Sequence, residues 1–330
     1  MDNELLLFDR VNIIKDTITK YGEENFYLSF SGGKDSTILH HLLDIALPNN
    51  KIPRVFIDTG IEYVAIREFV LDLSKNDDRF VILKPSKPIK QTLDSVGYPF
   101  KSKQHSHNIM LYQKHNIEKF KEVKQVIDEN TSLLKDYDFI HALPLGVKTL
   151  VKYYYGVRER ESCISTLTIP KCLKYQLDGW NEFKISDQCC YEMKKKPVHK
   201  WEKDNNRKIA ITGIRNEEGG TRTMIKGCIL TDKDGKVKKF HPLLVVSDDW
   251  EDWFIVNQKI QLCKLYRKPY NFKRTGCKGC PFSLELQEQL DTMSIYLPNE
   301  RKQCEIIWKP VYEEYRRIGF RLKNKMTIWD

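Results

Sequence analysis

Two groups of residues in this chain have the types and spacing to do chemistry. The first is Ser31-Gly32-Gly33-Lys34-Asp35-Ser36, which separates an apolar run from a helical pattern. Paired glycines reach backbone angles closed to other residues and expose amide N–H groups, and a helix N-terminus adds partial positive charge. With the full charge of Lys34, these parts make a phosphate cradle. The nucleotide-binding P-loop is a different motif, because it needs four residues between its first glycine and a Gly-Lys-Ser/Thr ending. An ordinary strand-to-helix turn capped by Ser36 would explain the glycines alone. The second group is the cysteines: Cys189 and Cys190 are adjacent, and after 86 intervening residues come Cys277-Lys278-Gly279-Cys280. Zinc, redox and cluster sites all use Cys-x-x-Cys. Nine cysteines are an odd number in a chain of 330 residues, which is too large to need disulfide staples. A reducing cytosol would keep them as thiols.

The elements around the first motif follow from apolar spacing. Leu5 to Thr19 has helical periodicity, Phe26 to Phe30 reads as a buried strand, and Ile38, Leu39, Leu42, Leu43 and Ala46 stripe a helix that Pro48 ends. Val55-Phe56-Ile57 is the next strand, Tyr63 to Leu73 a helix and Phe80 to Leu83 a third strand. Strand, crossover helix and strand in this order predict an α/β fold with a parallel, doubly wound sheet. From Lys101 to about Glu161 the pattern turns polar and helical. Strand signals resume at Ile209 to Thr212, and one helix is expected from Glu300 to Ile318. The expected organisation is residues 1–100 as the first half of a nucleotide-binding domain, 101–161 as a helical insertion, 162–285 as the remainder with the cysteines, and 286–330 as a helical tail.

Composition narrows the partners. The chain has 55 Lys and Arg against 45 Asp and Glu, a formal charge of +10, which favours polyanions such as phosphorylated metabolites or nucleic acid. No stretch approaches the length of a membrane span, and the acidic start Met1-Asp2-Asn3-Glu4 is unlike a signal peptide. A cytoplasmic protein without a membrane partner is expected. The eight histidines lack metal-site spacing; His40, His41, His105, His107 and His115 read as core or solvated residues. Trp250, Trp253, Phe254 and Trp308 read as core aromatics.

With its loop placed between strand and helix, the sequence resembles the PP-loop superfamily, in particular its phosphoadenylyl-sulfate (PAPS) and adenylyl-sulfate reductase family. Asp58-Thr59-Gly60, at the end of the second strand, resembles that family's second nucleotide-holding loop. Gly213-Ile214-Arg215 with Glu218 and Arg222 resembles its Gly-Leu/Ile-Arg-x-x-Glu-Ser-x-x-Arg element, with Gly219 replacing the serine. The two arginines there would clamp phosphate or sulfate oxygens. The Cys-Cys and Cys-x-x-Cys pairs resemble the four ligands of the [4Fe–4S] cluster in the iron–sulfur branch, which would make Cys189, Cys190, Cys277 and Cys280 the cluster ligands. Lys194 and Pro197 also match that branch's pattern. Four soft thiolates suit zinc as well.

One departure from the family is substantial. Its reductases carry a nucleophilic cysteine in a C-terminal Glu-Cys-Gly-Leu/Ile-His element, which this sequence does not contain. Cys304, on a predicted helix, and Cys228 are the alternative thiols. The resemblance therefore implies an adenine nucleotide, ATP or adenylyl sulfate, at Ser31 to Ser36. With ATP, Lys34 and Asp35 would organise pyrophosphate and Mg²⁺ while an acceptor is adenylated, nucleic acid being one candidate. With adenylyl sulfate, sulfur would be reduced and sulfite released. A sulfur or electron donor protein is an implied partner. A nucleotide-sensing module without turnover is the third expectation.

Overall fold

Why the phosphate-loop motif lies where it does follows from the order of the strands. The computed structural model describes residues 2–157 and 168–323. The chain divides into two units, Met1–Pro88 with Glu192–Lys278 and Ile89–Tyr191 with Gly279–Asp330. In chain order the first unit opens with α1 (Asn3–Tyr21), β1 (Phe26–Ser29), α2 (Lys34–Ala46), β2 (Arg54–Ile57), α3 (Val64–Asn76) and β3 (Phe80–Leu83). The second unit then contributes α4 (Ile89–Val96), α5 (Lys103–Leu111), α6 (Ile117–Glu129), α7 (Tyr137–Ala142) and α8 (Leu145–Tyr155). The first resumes with α9 (Lys196–Asp204), β4 (Ile209–Ile211), β5 (Ile229–Thr231), β6 (Val237–Phe240) and α10 (Asp248–Asn257). The second closes with α11 (Leu286–Tyr296), α12 (Pro298–Ile307) and α13 (Lys309–Arg317).

Among the described residues, the six strands all belong to the first unit and form one sheet in the order β3-β2-β1-β4-β6-β5. Neighbouring pairs are parallel except β5 with β6. Phe26, Tyr27 and Leu28 of β1 are all buried, as a central parallel strand covered on both faces requires. From β1 the chain winds outward through β2 and β3, and later enters β4 on the other side of β1. The carboxyl ends of β1 and β4 therefore flank the point where winding reverses, where open α/β sheets leave a ligand crevice. Ser31 follows β1 and Gly213 follows β4.

The α/β sheet is as the apolar runs predict, and the main departures lie at its edge and in the tail. The β5–β6 hairpin was not anticipated, because its residues are short, lysine-rich and mostly exposed. The single helix expected from Glu300 to Ile318 is two, α12 and α13, because Pro310 lacks the N–H that would continue the ladder across Trp308. The expected boundary between residues 161 and 162 lies outside the described residues.

In the second unit, His105 is fully buried between the Tyr153 hydroxyl and Gln176 Oε1, each at 2.8 Å. Burial pushes its pKa down to about 3, so it is a neutral core histidine. His40, in the first unit, is likewise buried and depressed to about 4. His107 stands 3.7 Å from Asp187, and the side chain of His115 lies outside the described residues. Trp250, Phe254 and Trp308 are core residues, whereas Trp253, expected with them, is only half-buried. Among the described residues no helix is long and apolar enough to cross a membrane.

Candidate nucleotide site

The loop from Ser31 to Ser36 turns at Gly32, whose φ is +71°. A side chain there would be strained, and its Cβ would come within 2.9 Å of the Ile66 and Val70 methyl groups. Hydroxyl oxygens take up the loop's N–H groups. Ser31 N–H donates to Ser36 Oγ at 3.2 Å, Gly33 N–H to Ser31 Oγ at 3.3 Å and Lys34 N–H to the Tyr266 hydroxyl at 3.1 Å. Ser36 and Thr37 donate back to the Gly33 carbonyl, at 3.0 and 2.9 Å. Tyr266 in turn shares a 2.5 Å hydrogen bond with Thr275.

Every cation expected to grip phosphate has carboxylate partners. Lys34 Nζ lies 2.9 Å from Glu251, 3.6 Å from Asp248 and 3.7 Å from Asp252, all on α10. Arg215 lies 2.6 Å from Asp248, 3.2 Å from Glu251 and 3.6 Å from Asp35. Arg222 pairs with Glu218, which Arg274 also approaches, at 3.2 Å. Glu251 has no exposure, and burial followed by the charge of Asp35 pushes its pKa up to about 8. Burial also raises Asp35. It works against the charge of Lys34, but Glu251, Asp252 and Asp248 outweigh it and hold the ammonium pKa above its usual value. Gly213 lets β4 approach α2, since a Cβ there would sit 2.7 Å from Asp35 Cβ.

The second loop is braced by its own side chains. Asp58 accepts from Arg67 Nε at 2.9 Å, while the Thr59 N–H and hydroxyl donate to Glu62 at 3.0 and 2.6 Å. Lys194 Nζ is 4.0 Å from the same Glu62. Gly60 turns with φ +76° into open space.

Two cavities of the first unit meet at the Ser31–Ser36 loop. One, of about 770 Å³, is lined by Gly33, Lys34, Asp35, Arg215 and Tyr266. The other, of about 820 Å³, has Phe30, Phe56 and Ile57 together with Lys194, Lys195 and Lys239. Ser31, Thr275 and Gly276 line both.

Of the four cysteines singled out, Cys277 belongs to the first unit and Cys189, Cys190 and Cys280 to the second. Their thiolates have the chemistry for an iron–sulfur cluster or zinc. Among the described residues, however, no three His, Cys, Asp or Glu side chains gather so as to hold a metal ion. The cluster assignment therefore rests on the resemblance to the iron–sulfur branch of the family. Within the second unit, Gly279 adopts φ +61°, and a Cβ on it would stand 2.7 Å from Cys304 Sγ. The Tyr312 hydroxyl donates to the Gly279 carbonyl and that of Tyr315 to the Pro281 carbonyl, the latter at 3.0 Å. Cys304 is thereby packed under the Cys280 loop with no exposure. Cys228 Sγ lies 3.6 Å from Arg10 Nη1.

Sequence reasoning missed Glu251, Tyr266 and Thr275. Ser247 followed by Asp248, Asp249 and Glu251 is a helix-start signal that would have placed the acids of α10, and the Ser247 side chain does accept from Trp250 N–H, at 3.2 Å. Tyr266 is 232 residues from Lys34, beyond the reach of any local pattern.

A sequence model of the phosphoadenosine phosphosulfate reductase domain matches residues 25–141 and 157–283. Comparison with curated protein sequences finds no match. Among solved structures, PAPS reductase from Candida auris in a phosphate complex is similar at 12% identity and a TM-score of 0.40, over 81% of this chain and 93% of that one. FMN adenylyltransferase of Candida glabrata is similar at 14% identity and 0.43, over 82% and 61%. The U34-tRNA thiolase NcsA from Methanococcus maripaludis, with its [4Fe–4S] cluster, is similar at 14% and 0.36, over 99% and 84%.

Proposed function

We propose that this chain, which belongs to the phosphoadenosine phosphosulfate reductase domain family, binds ATP as its magnesium complex on the first unit and adenylates an acceptor in a sulfur-transfer reaction. The observation that carries this reading is the position of Ser31, Thr275 and Gly276 on the wall shared by two cavities. A nucleotide laid across that wall would rest its base on the apolar floor of Phe30, Phe56 and Ile57 and its phosphates against the loop. Lys34, Asp35, Arg215 and Arg222 would then face the reacting phosphates. An acceptor oxygen bonds to the α-phosphorus, the bridge to the β-phosphate breaks, and pyrophosphate leaves with the bonding electrons while the acceptor proton passes to water. The preset charges of Lys34 and Arg215 would offset the charge that develops.

Burial of Cys304 favours this reading over sulfonucleotide reduction, because attack on sulfur needs a thiolate that reaches the ligand. The lysines of the 820 Å³ cavity favour a phosphate-bearing acceptor such as a nucleic acid. Cys189, Cys190, Cys277 and Cys280 are the residues that would hold a [4Fe–4S] cluster, with zinc as the alternative occupant, and a sulfur or electron donor protein is the partner that such a group would imply. Protein purified anaerobically, assayed for pyrophosphate release from ATP and for sulfite release from adenylyl sulfate and PAPS, tests the proposal. Pyrophosphate without sulfite supports it; sulfite alone would replace it with a reductase. Nucleotide binding with neither product would make the chain a sensing module.

A further inference from the structure

We propose that the Tyr266 hydroxyl is a binding group for a tetrahedral oxyanion, extending the Ser31–Ser36 loop by one donor. The proposal rests on the nucleotide-site reading and adds a residue outside every motif quoted above. The N–H of Lys34, first in α2, donates to the phenol oxygen at 3.1 Å. The same oxygen lies 2.5 Å from Thr275 Oγ1. The bond between the two hydroxyls can run in either direction; we take Thr275 as its donor, which together with Lys34 N–H fills the phenol's acceptor sites and leaves the phenol's own proton to be given elsewhere. Tyr266 and Thr275 both line the 770 Å³ cavity with Gly33 and Lys34, so the two hydroxyl-bearing residues share that space with the loop's charged groups. A hydroxyl that accepts two hydrogen bonds is also a more polarised donor, so the helix terminus acts on the anion through the phenol. Burial keeps the phenol pKa above its usual value, so the proton is present throughout the neutral range.

This role predicts a split between ligands that a purely structural tyrosine would not produce. Calorimetric titrations of the whole chain with ATP, inorganic pyrophosphate and adenosine would be compared for the wild type, Tyr266→Phe and Thr275→Val. Tyr266→Phe should weaken ATP and pyrophosphate by about tenfold, the cost of a hydrogen bond to a charged group, and leave adenosine unchanged. Thr275→Val keeps the phenol but removes one of its donors, so pyrophosphate should weaken by only about threefold. This variant carries the test if Tyr266→Phe does not fold. An equal loss for adenosine, an unchanged pyrophosphate affinity or a tighter one in Tyr266→Phe would overturn the assignment. So would a wild type that does not bind pyrophosphate. A wild type that binds pyrophosphate in a Tyr266-dependent way but no nucleotide would instead refute the nucleotide reading alone.

Discussion

The Lys34 ammonium stands 2.9 Å from the carboxyl group of Glu251, a side chain with no solvent exposure. That contact ties the Ser31–Ser36 loop to α10 and gives the pair a pH signature. Glu251, ordinarily near 4.5, is pushed up to about 8 in the folded protein. Between these values the native state keeps a proton that the unfolded chain has released, so stability falls as pH rises through the window and is fully retained below it. One proton limits the slope to about 1.4 kcal/mol per pH unit. Glu251→Gln cannot titrate, so melting temperatures measured from pH 5 to 8 should decline less steeply in the variant. Equal slopes would show that another group sets the dependence.

Gly213 marks the closest approach of β4 to the first turn of α2. Gly213→Ala would put a methyl group 2.7 Å from Asp35 Cβ, and the nearby Asp35 backbone leaves little room to yield. Overpacking of this kind costs about 1–3 kcal/mol. Denaturant unfolding should show that loss together with weaker ATP binding, because the displaced turn carries Lys34 and Asp35. Weaker stability with unaltered ATP affinity would separate Gly213 from the site.

The parts of the site legible in the sequence are those that local physics dictates. Phe26 to Ser36 could be read as strand, turn and helix because a buried run, two glycines and an apolar stripe each leave a local mark. The acids of α10 are hidden because Trp250 and Phe254 carry the stronger signal, that of core aromatics, and the helix start at Ser247 is a weaker one. Partners of the predicted cations were not legible at all. Arg215 reads as a phosphate clamp by motif, yet its contacts to Asp248 and Glu251 depend on how β4 and α10 meet in space. Pro310 was visible and still overridden, because Ile306, Ile307, Val311 and Tyr315 keep helical spacing across the break.

Cys304 is predicted to be chemically silent in the native protein. It has no exposure, and Gly279 packs directly on it. Alkylation with iodoacetamide followed by mass mapping should label Cys172, which is exposed, while Cys304 is modified only after unfolding. Cys304→Ser should leave pyrophosphate release from ATP unchanged. Rapid native labelling of Cys304, or loss of product with the serine variant, would restore it as a candidate nucleophile.

Charge balance at the loop leads to the last prediction, which concerns opposite changes on the two sides of one ion cluster. Lys34 faces two carboxylates that are mostly open to solvent, Asp248 at 3.6 Å and Asp252 at 3.7 Å, as well as the buried Glu251. An incoming phosphate competes with them for the same ammonium. Exposed pairs of this kind are worth about 0.2–1 kcal/mol, so Asp252→Asn should tighten ATP binding by roughly 1.5- to 5-fold. Asp248 also holds Arg215, at 2.6 Å, so Asp248→Asn would disturb the site as well as free the charge; Asp252→Asn is the cleaner test. Lys34→Ala should do the reverse and weaken binding about tenfold or more, the cost of losing a charge-assisted hydrogen bond. The Asp252→Asn gain should shrink at high salt, because the contact is solvent-screened. ATP dissociation constants measured at low and high ionic strength for the wild type and both variants decide the matter. A weaker Asp252→Asn complex would mean that this carboxylate assists the bound magnesium–nucleotide complex instead of competing with it.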